Sequence, residues 1–167
     1  AEMEHNLKAW GFDDCIEIND PIETAWMDCH YTDDLKQKGL LDEHRTFILN
    51  WVAEAYETGN PKPWNQVPAP VPAGEDIDSF VGRRASEWLQ GYTYDQPFYL
   101  QVQFTGPHDP FDGPTSYRDR YDPASIDPGI EPRDHPRLPR NISARWERAR
   151  SVHQATTAER QQWRVNY

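Results

Sequence analysis

Apolar residues recur at helical spacing in two stretches of the chain and alternate with polar residues in two others. Phe47, Ile48, Trp51, Val52, Ala55 and Tyr56 share one helical face, with Asp42 placed to cap the start and Gly59-Asn60-Pro61 to end it. Ile77, Phe80, Val81, Ala85, Trp88 and Leu89 form a second stripe, opened by Asp76, running to Gln90 and followed by Gly91. Shorter helices are predicted over 2–9, stopped by Gly11, and over 33–38, entered through Thr32-Asp33-Asp34 and left at Gly39. The period then drops to two. Phe98, Leu100, Val102 and Phe104 alternate with Tyr99, Gln101 and Gln103, which predicts a β-strand, and Cys15–Ile18 predicts a shorter one. The last stretch, 143–166, is helix-permissive, with sparse apolar marks at Trp146, Ala149, Val152, Ala155 and Trp163.

A helix, a short turn and a strand in that order make the αβ half of an α/β sheet. The fold class expected is therefore α/β, with a sheet flanked by helices. Residues 61–72 hold five prolines and read as an extended crossing loop. Residues 106–140, rich in Pro, Asp and Arg, read as a long irregular excursion, and such loops inside a domain are commonly functional. Hydrophobic residues make up 37% of the 167, below the usual share of roughly 45–50%. Seven Trp and eight Tyr partly offset this. The expected core is thin and aromatic, as in a piece of a larger α/β protein.

Charge narrows the partners. Residues 1–80 carry 17 acids and 5 bases, whereas 81–167 carry 11 acids and 12 bases. An acidic front half repels phosphate backbones, so nucleic acid is not an expected partner. The arginines of Arg133–Arg150 read as a solvated face. No apolar run reaches 18 residues, so no membrane span is expected. The first ten residues show neither a basic start nor an apolar run of the signal-peptide kind. Cys15 and Cys29 fit no metal or redox spacing, which leaves a disulfide or two half-buried thiols. Asn141-Ile142-Ser143 is a sequon that matters only in a secreted eukaryotic context. His30, His44 and His153 have no motif around them.

The chemistry concentrates where the predicted strand ends. In α/β sheets, ligands sit beyond the carboxyl ends of strands. Phe98–Phe104 leads into Thr105-Gly106-Pro107-His108-Asp109-Pro110-Phe111-Asp112. Gly106 permits the turn, and Pro107 and Pro110 restrict His108 and Asp109. An imidazole titrates near neutrality, so a rigidly held His108 can donate a proton or contact an anion. Asp109 and Asp112 also suit turn formation. Tyr117 and Tyr121, with Arg118 and Arg120, are candidates for a pocket rim.

Pro97-Phe98, Pro107-His108-Asp109-Pro110-Phe111 and Pro114-Thr115-Ser116-Tyr117 together resemble the central part of the sulfatase family, in the alkaline-phosphatase superfamily. Gly11-Phe12-Asp13, Tyr31-Thr32-Asp33, Leu35-Lys36-Gln37-Lys38-Gly39-Leu40 and Arg164-Val165-Asn166-Tyr167 resemble flanking blocks of that family in the same order. The resemblance implies a partial alkaline-phosphatase-like sandwich with a mixed sheet, residues 1–167 forming an internal segment of one catalytic domain. It implies hydrolysis of sulfate monoesters by a formylglycine nucleophile beside a calcium ion. His108 would be the catalytic residue, acting as general acid or sulfate contact, with Asp109 and Tyr117 completing the substrate-binding set.

The chain departs from the family at its reaction centre. Neither Cys15 nor Cys29 is followed by the Pro/Ala-x-Arg of a formylglycine precursor, and the paired Asp metal ligands and the Gly-Lys-x-His block are missing. Calcium and formylglycine are thus expected in a longer parent enzyme, with no metal site and no turnover in this chain alone. The expected partners are a small-molecule or carbohydrate sulfate ester and the rest of the catalytic domain. The alternatives are a phosphonate monoester hydrolase or phosphodiesterase of the same superfamily, and a non-catalytic module that binds an anion or a partner.

Overall fold

The computed structural model describes residues 3–57, 68–127, 129, 139, 142 and 155–166. Its chain divides into two compact units, 1–50 with 69–109 and 51–68 with 110–167. The helix stop at Gly59-Asn60-Pro61, most of the proline run at 61–72, the Arg133–Arg150 face, Asn141 and Ser143 of the sequon, and His153 lie outside the described residues.

Six α-helices are described: α1 (Glu4–Ala9), α2 (His30–Gln37), α3 (Leu41–Val52), α4 (Ile77–Gly91), α5 (Thr115–Arg118) and α6 (Thr157–Asn166). Among the described residues there is no β-strand. This overturns the expected mixed sheet and, with it, the α/β sandwich. Cys15–Ile18 and Phe98–Phe104 lie outside any regular element, without a ladder. The physical reason is that alternation sets which side chains share a face of an extended chain, while a strand exists only once a second backbone lies about 4.8 Å away.

Some helix ends follow local signals, whereas α3 starts at Leu41, so Asp42 lies in its first turn and not at its cap. Asp76 caps α4 by accepting from Ser79 N at 2.9 Å. Gly39, at φ 71°, ends α2 in the left-handed conformation. There Leu40 N donates to Leu35 O at 2.9 Å, and Leu40 packs against the core. Helix α2 begins at His30, earlier than the predicted residue 33. Thr32 acts from the third helical position: its hydroxyl accepts from Cys29 N at 2.7 Å and donates to Cys29 O at 2.9 Å. The Cys29 N–H, which would otherwise lack a partner, is thereby met, while Cys29 O also accepts from Asp33 N at 2.9 Å.

The core of the first unit is small. Cys29, Tyr31, Leu35, Leu41 and Phe80 are buried together, with Ile18, Leu40, Val71, Ile77 and Val81 packed around them. Leu35 is fully buried, which stabilises the unit by roughly 1.5–3 kcal/mol. The Tyr31 ring meets Phe80 at 5.6 Å and stands edge-on to His44 at 5.5 Å, while its hydroxyl donates to Glu75 O at 3.1 Å. Asp34 and Glu75 each pair with both Lys38 and Arg83, tying α2 to α4 at a partly exposed edge. Such pairs add little individually. Cys15 and Cys29 are both free thiols.

In the second unit, α6 packs on a short 3-10 turn, Pro123–Ser125. Gln161 Nε2 donates to Ile126 O at 2.7 Å, and Arg164 donates to Asp127 O. Trp163 and Ala155 are buried there. No described helix is long and apolar enough to cross a membrane.

Candidate functional site

The loop carrying His108 is held by an acidic side chain from α4. Asp78, in the first turn of that helix, accepts from Thr105 N at 2.9 Å, Thr105 Oγ1 at 3.0 Å and Gly106 N at 3.2 Å. The helix N-terminus favours a carboxylate at this position. The Gly106–Pro107 peptide is cis. A side chain at Gly106 would overlap the Asp78 carboxylate, so glycine is needed for this close approach. His108 N then donates to Thr105 O at 3.0 Å, closing the turn.

The imidazole lies between acceptors on both sides. Nδ1 lies 2.8 Å from Asp109 O and 3.1 Å from Asp109 Oδ1. A carbonyl oxygen only accepts, so Nδ1 carries a proton and donates to it. Nε2 lies 3.2 Å from Asp20 Oδ2. Only the doubly protonated ring satisfies both contacts. The hydrogen bond to the Asp109 carbonyl, with the charges of Asp20 and Asp109, holds His108 above its ordinary pKa against partial desolvation. The ring is 45% exposed, so solvent reaches it.

Asp20 is itself anchored. Its Oδ1 accepts from Ile22 N at 2.9 Å and its carbonyl from Thr24 N at 3.2 Å, a turn typical of Asp before Pro. Helix α3 grips the same segment. Arg45 Nε donates to Thr24 O at 3.2 Å, and its NH2 group donates to Met27 O at 3.3 Å and to Asp28 Oδ1 at 2.6 Å. His44 Nε2 lies 2.8 Å from Thr24 Oγ1.

No protein-family model matches the chain, and neither does a curated protein or a solved structure. The first unit pairs His108 with Asp109 and adds Asp20 and Asp78 to the same turn. Asn19-Asp20-Pro21 signals a turn in the sequence, but nothing in it signals a contact 88 positions away. Asp78 reads as an ordinary first-turn acid of a helix. The other predicted residues belong to the second unit. Arg120 lies over the Tyr117 ring at 4.7 Å, while Arg118 and Tyr121 line an open groove with Asp119, Pro123 and Gln162.

Among the described residues, no three His, Cys, Asp or Glu side chains converge as a metal set. Cys29 is buried beside Thr32 at the α2 cap, and burial with nearby Glu4, Glu17 and Asp14 pushes the Cys15 thiol up, away from the reactive thiolate. These residues do not fit calcium or a formylglycine.

Asp78→Ala leaves Thr105 N and Gly106 N without their acceptor. The expected cost is about 1–3 kcal/mol of stability, read as a lower urea midpoint, together with a shifted His108 ring resonance. An unchanged midpoint and resonance would remove Asp78 from this role.

Proposed function

We propose that the chain contributes the His108 edge of a hydrolase acting on sulfate monoesters, with His108 the general acid that protonates the leaving-group oxygen. One observation carries this reading: the His108 ring, within Pro107-His108-Asp109-Pro110-Phe111, faces acceptors at both nitrogens, which favour its protonated form and raise its pKa. The two carboxylates at 3.1 and 3.2 Å outweigh the single charge of the imidazolium. The group is therefore a poor trap for an anion and a better proton donor. The same carboxylates disfavour a dianionic phosphate monoester and tolerate a singly charged ester such as a sulfate. To act, Nε2 exchanges Asp20 Oδ2 for the leaving-group oxygen, while Nδ1 stays on the Asp109 carbonyl and keeps the ring's orientation. In this reading the nucleophile and the metal ligands come from outside these 167 residues.

The test is an assay of the complete polypeptide containing this chain against an aryl sulfate and a phenyl phosphonate monoester. A higher kcat/KM on the sulfate is expected. Preference for the phosphonate, or no turnover of either, would overturn the sulfatase reading.

A further inference from the structure

The segment Phe98–Phe104 lacks partners where a backbone normally has them. Among the described residues, none of its N–H or C=O groups makes a backbone hydrogen bond, although a single side chain on the neighbouring α4 holds the Thr105–Gly106 turn that follows it. A row of free donors and acceptors on an extended chain is a template for another strand. The side chains agree. Phe98 is 50% exposed, Tyr99 74% and Phe104 55%. Phe98 and Phe104 lie toward α4: the Phe98 ring meets Trp88 at 5.1 Å, and Phe104 lies beside Gly82. On the other side, Tyr99 meets Phe12 at 6.1 Å.

Edge strands are ordinarily protected by charge or proline. From Trp88 to Pro107 the only charged residue is Asp95, in a chain that is 27% charged, and no proline falls between Phe98 and Phe104. The segment also reads nearly alike in both directions about Gln101: apolar at 98, 100, 102 and 104, and Tyr99 and Gln103 on either side of the centre. Residues directly opposite each other in an antiparallel pair point to the same face. Pairing the segment with itself, Gln101 against Gln101, sets Phe98 against Phe104 and Leu100 against Val102. Both copies of α4 then cover one face of the ribbon. A slip by one residue would set apolar against polar positions all along.

We propose that Phe98–Phe104 is a self-association strand, pairing antiparallel with the same segment of a second copy about a twofold axis at Gln101. The pairing is independent of the hydrolase reading and concerns the chain by itself.

Charge at the centre tests it. Gln101 is exposed, so its substitution leaves the fold intact, which far-UV circular dichroism checks. Light scattering after size exclusion is expected to give twice the chain mass for the unaltered protein. Gln101→Lys and Gln101→Glu each place like charges opposite one another and are expected to weaken association by about fivefold. An equimolar mixture of the two variants is expected to restore it. The Lys variant is decisive because it lowers the net negative charge of −11. General repulsion between acidic chains predicts tighter association for it, and pairing at Gln101 predicts weaker. A monomer at every concentration would overturn the proposal. So would a Gln101→Lys variant as dimeric as the unaltered chain, or a mixture that stays monomeric.

Discussion

His108→Ala is expected to lower kcat for sulfate-ester hydrolysis by roughly 10²–10⁴-fold in the complete enzyme, with KM changed far less. The proton reaches the leaving oxygen only as the ester bond breaks, so its loss is felt in the transition state and not in binding. The deficit should grow with the basicity of the leaving group. A nitrophenolate departs with little help, whereas a sugar alkoxide needs the proton. A general acid is active while protonated, so activity is present below the His108 pKa and is lost as pH rises through it. The raised pKa of His108 should extend the proposed activity upward in pH. Asp20→Asn removes one of the charges that raise it and should draw the alkaline limb to lower pH. Asp109→Asn keeps the carbonyl that Nδ1 uses and should move the limb less. Equal loss of kcat for good and poor leaving groups, with an unmoved limb in Asp20→Asn, would leave His108 a turn residue.

Acidification is expected to remove about 3 kcal/mol of stability through His44 alone between neutrality and pH 4. The His44 ring is 5% exposed. Its tautomer follows from its neighbour. Thr24 has one hydroxyl proton, which it gives to Pro21 O at 2.6 Å, so at 2.8 Å it accepts from His44 Nε2–H. Nδ1 then holds a lone pair, buried and without a partner. A second proton there would be a buried charge with no acceptor, beside the Arg45 guanidinium. Burial first, and Arg45 second, lower the His44 pKa to about 4. The unfolded ring titrates near 6.5. Between those values the unfolded chain binds the proton and the folded chain does not. The stabilisation is thus fully present above about 6.5, declines as pH falls, and is gone below about 4. Replacing His44 with Phe keeps the edge contact with Tyr31 and the Thr24–Pro21 bond but removes the titration. The difference in urea-unfolding free energy between His44→Phe and the unaltered chain should therefore shift by about 3 kcal/mol from pH 7.5 to pH 4. A constant difference would show that His44 stays neutral or titrates alike in both states. Because Thr24 lies in the segment that carries Asp20, the same protonation should also loosen the carboxylate facing His108.

Much of the local structure is written in neighbouring residues. Asp76 caps α4 because Ser79 N is three residues away, and Gly39 ends α2 because only glycine enters the left-handed region freely. The rigid Pro107-His108-Asp109-Pro110 turn, and the pairing of His108 with Asp109, follow from adjacent residues in the same way. These features were determined by the sequence itself, since their hydrogen bonds close over a few residues. The tertiary structure alone decided the rest. Asp78 reaches Thr105 across 27 positions, Asp20 meets His108 across 88, and His44 is buried against Tyr31 and Thr24. It also left Phe98–Phe104 extended and unladdered, because alternation specifies a face and a sheet needs a second backbone. The physical divide is range: caps and turns draw on atoms that the chain places nearby, while pKa, pairing and burial depend on which distant atoms the fold brings up.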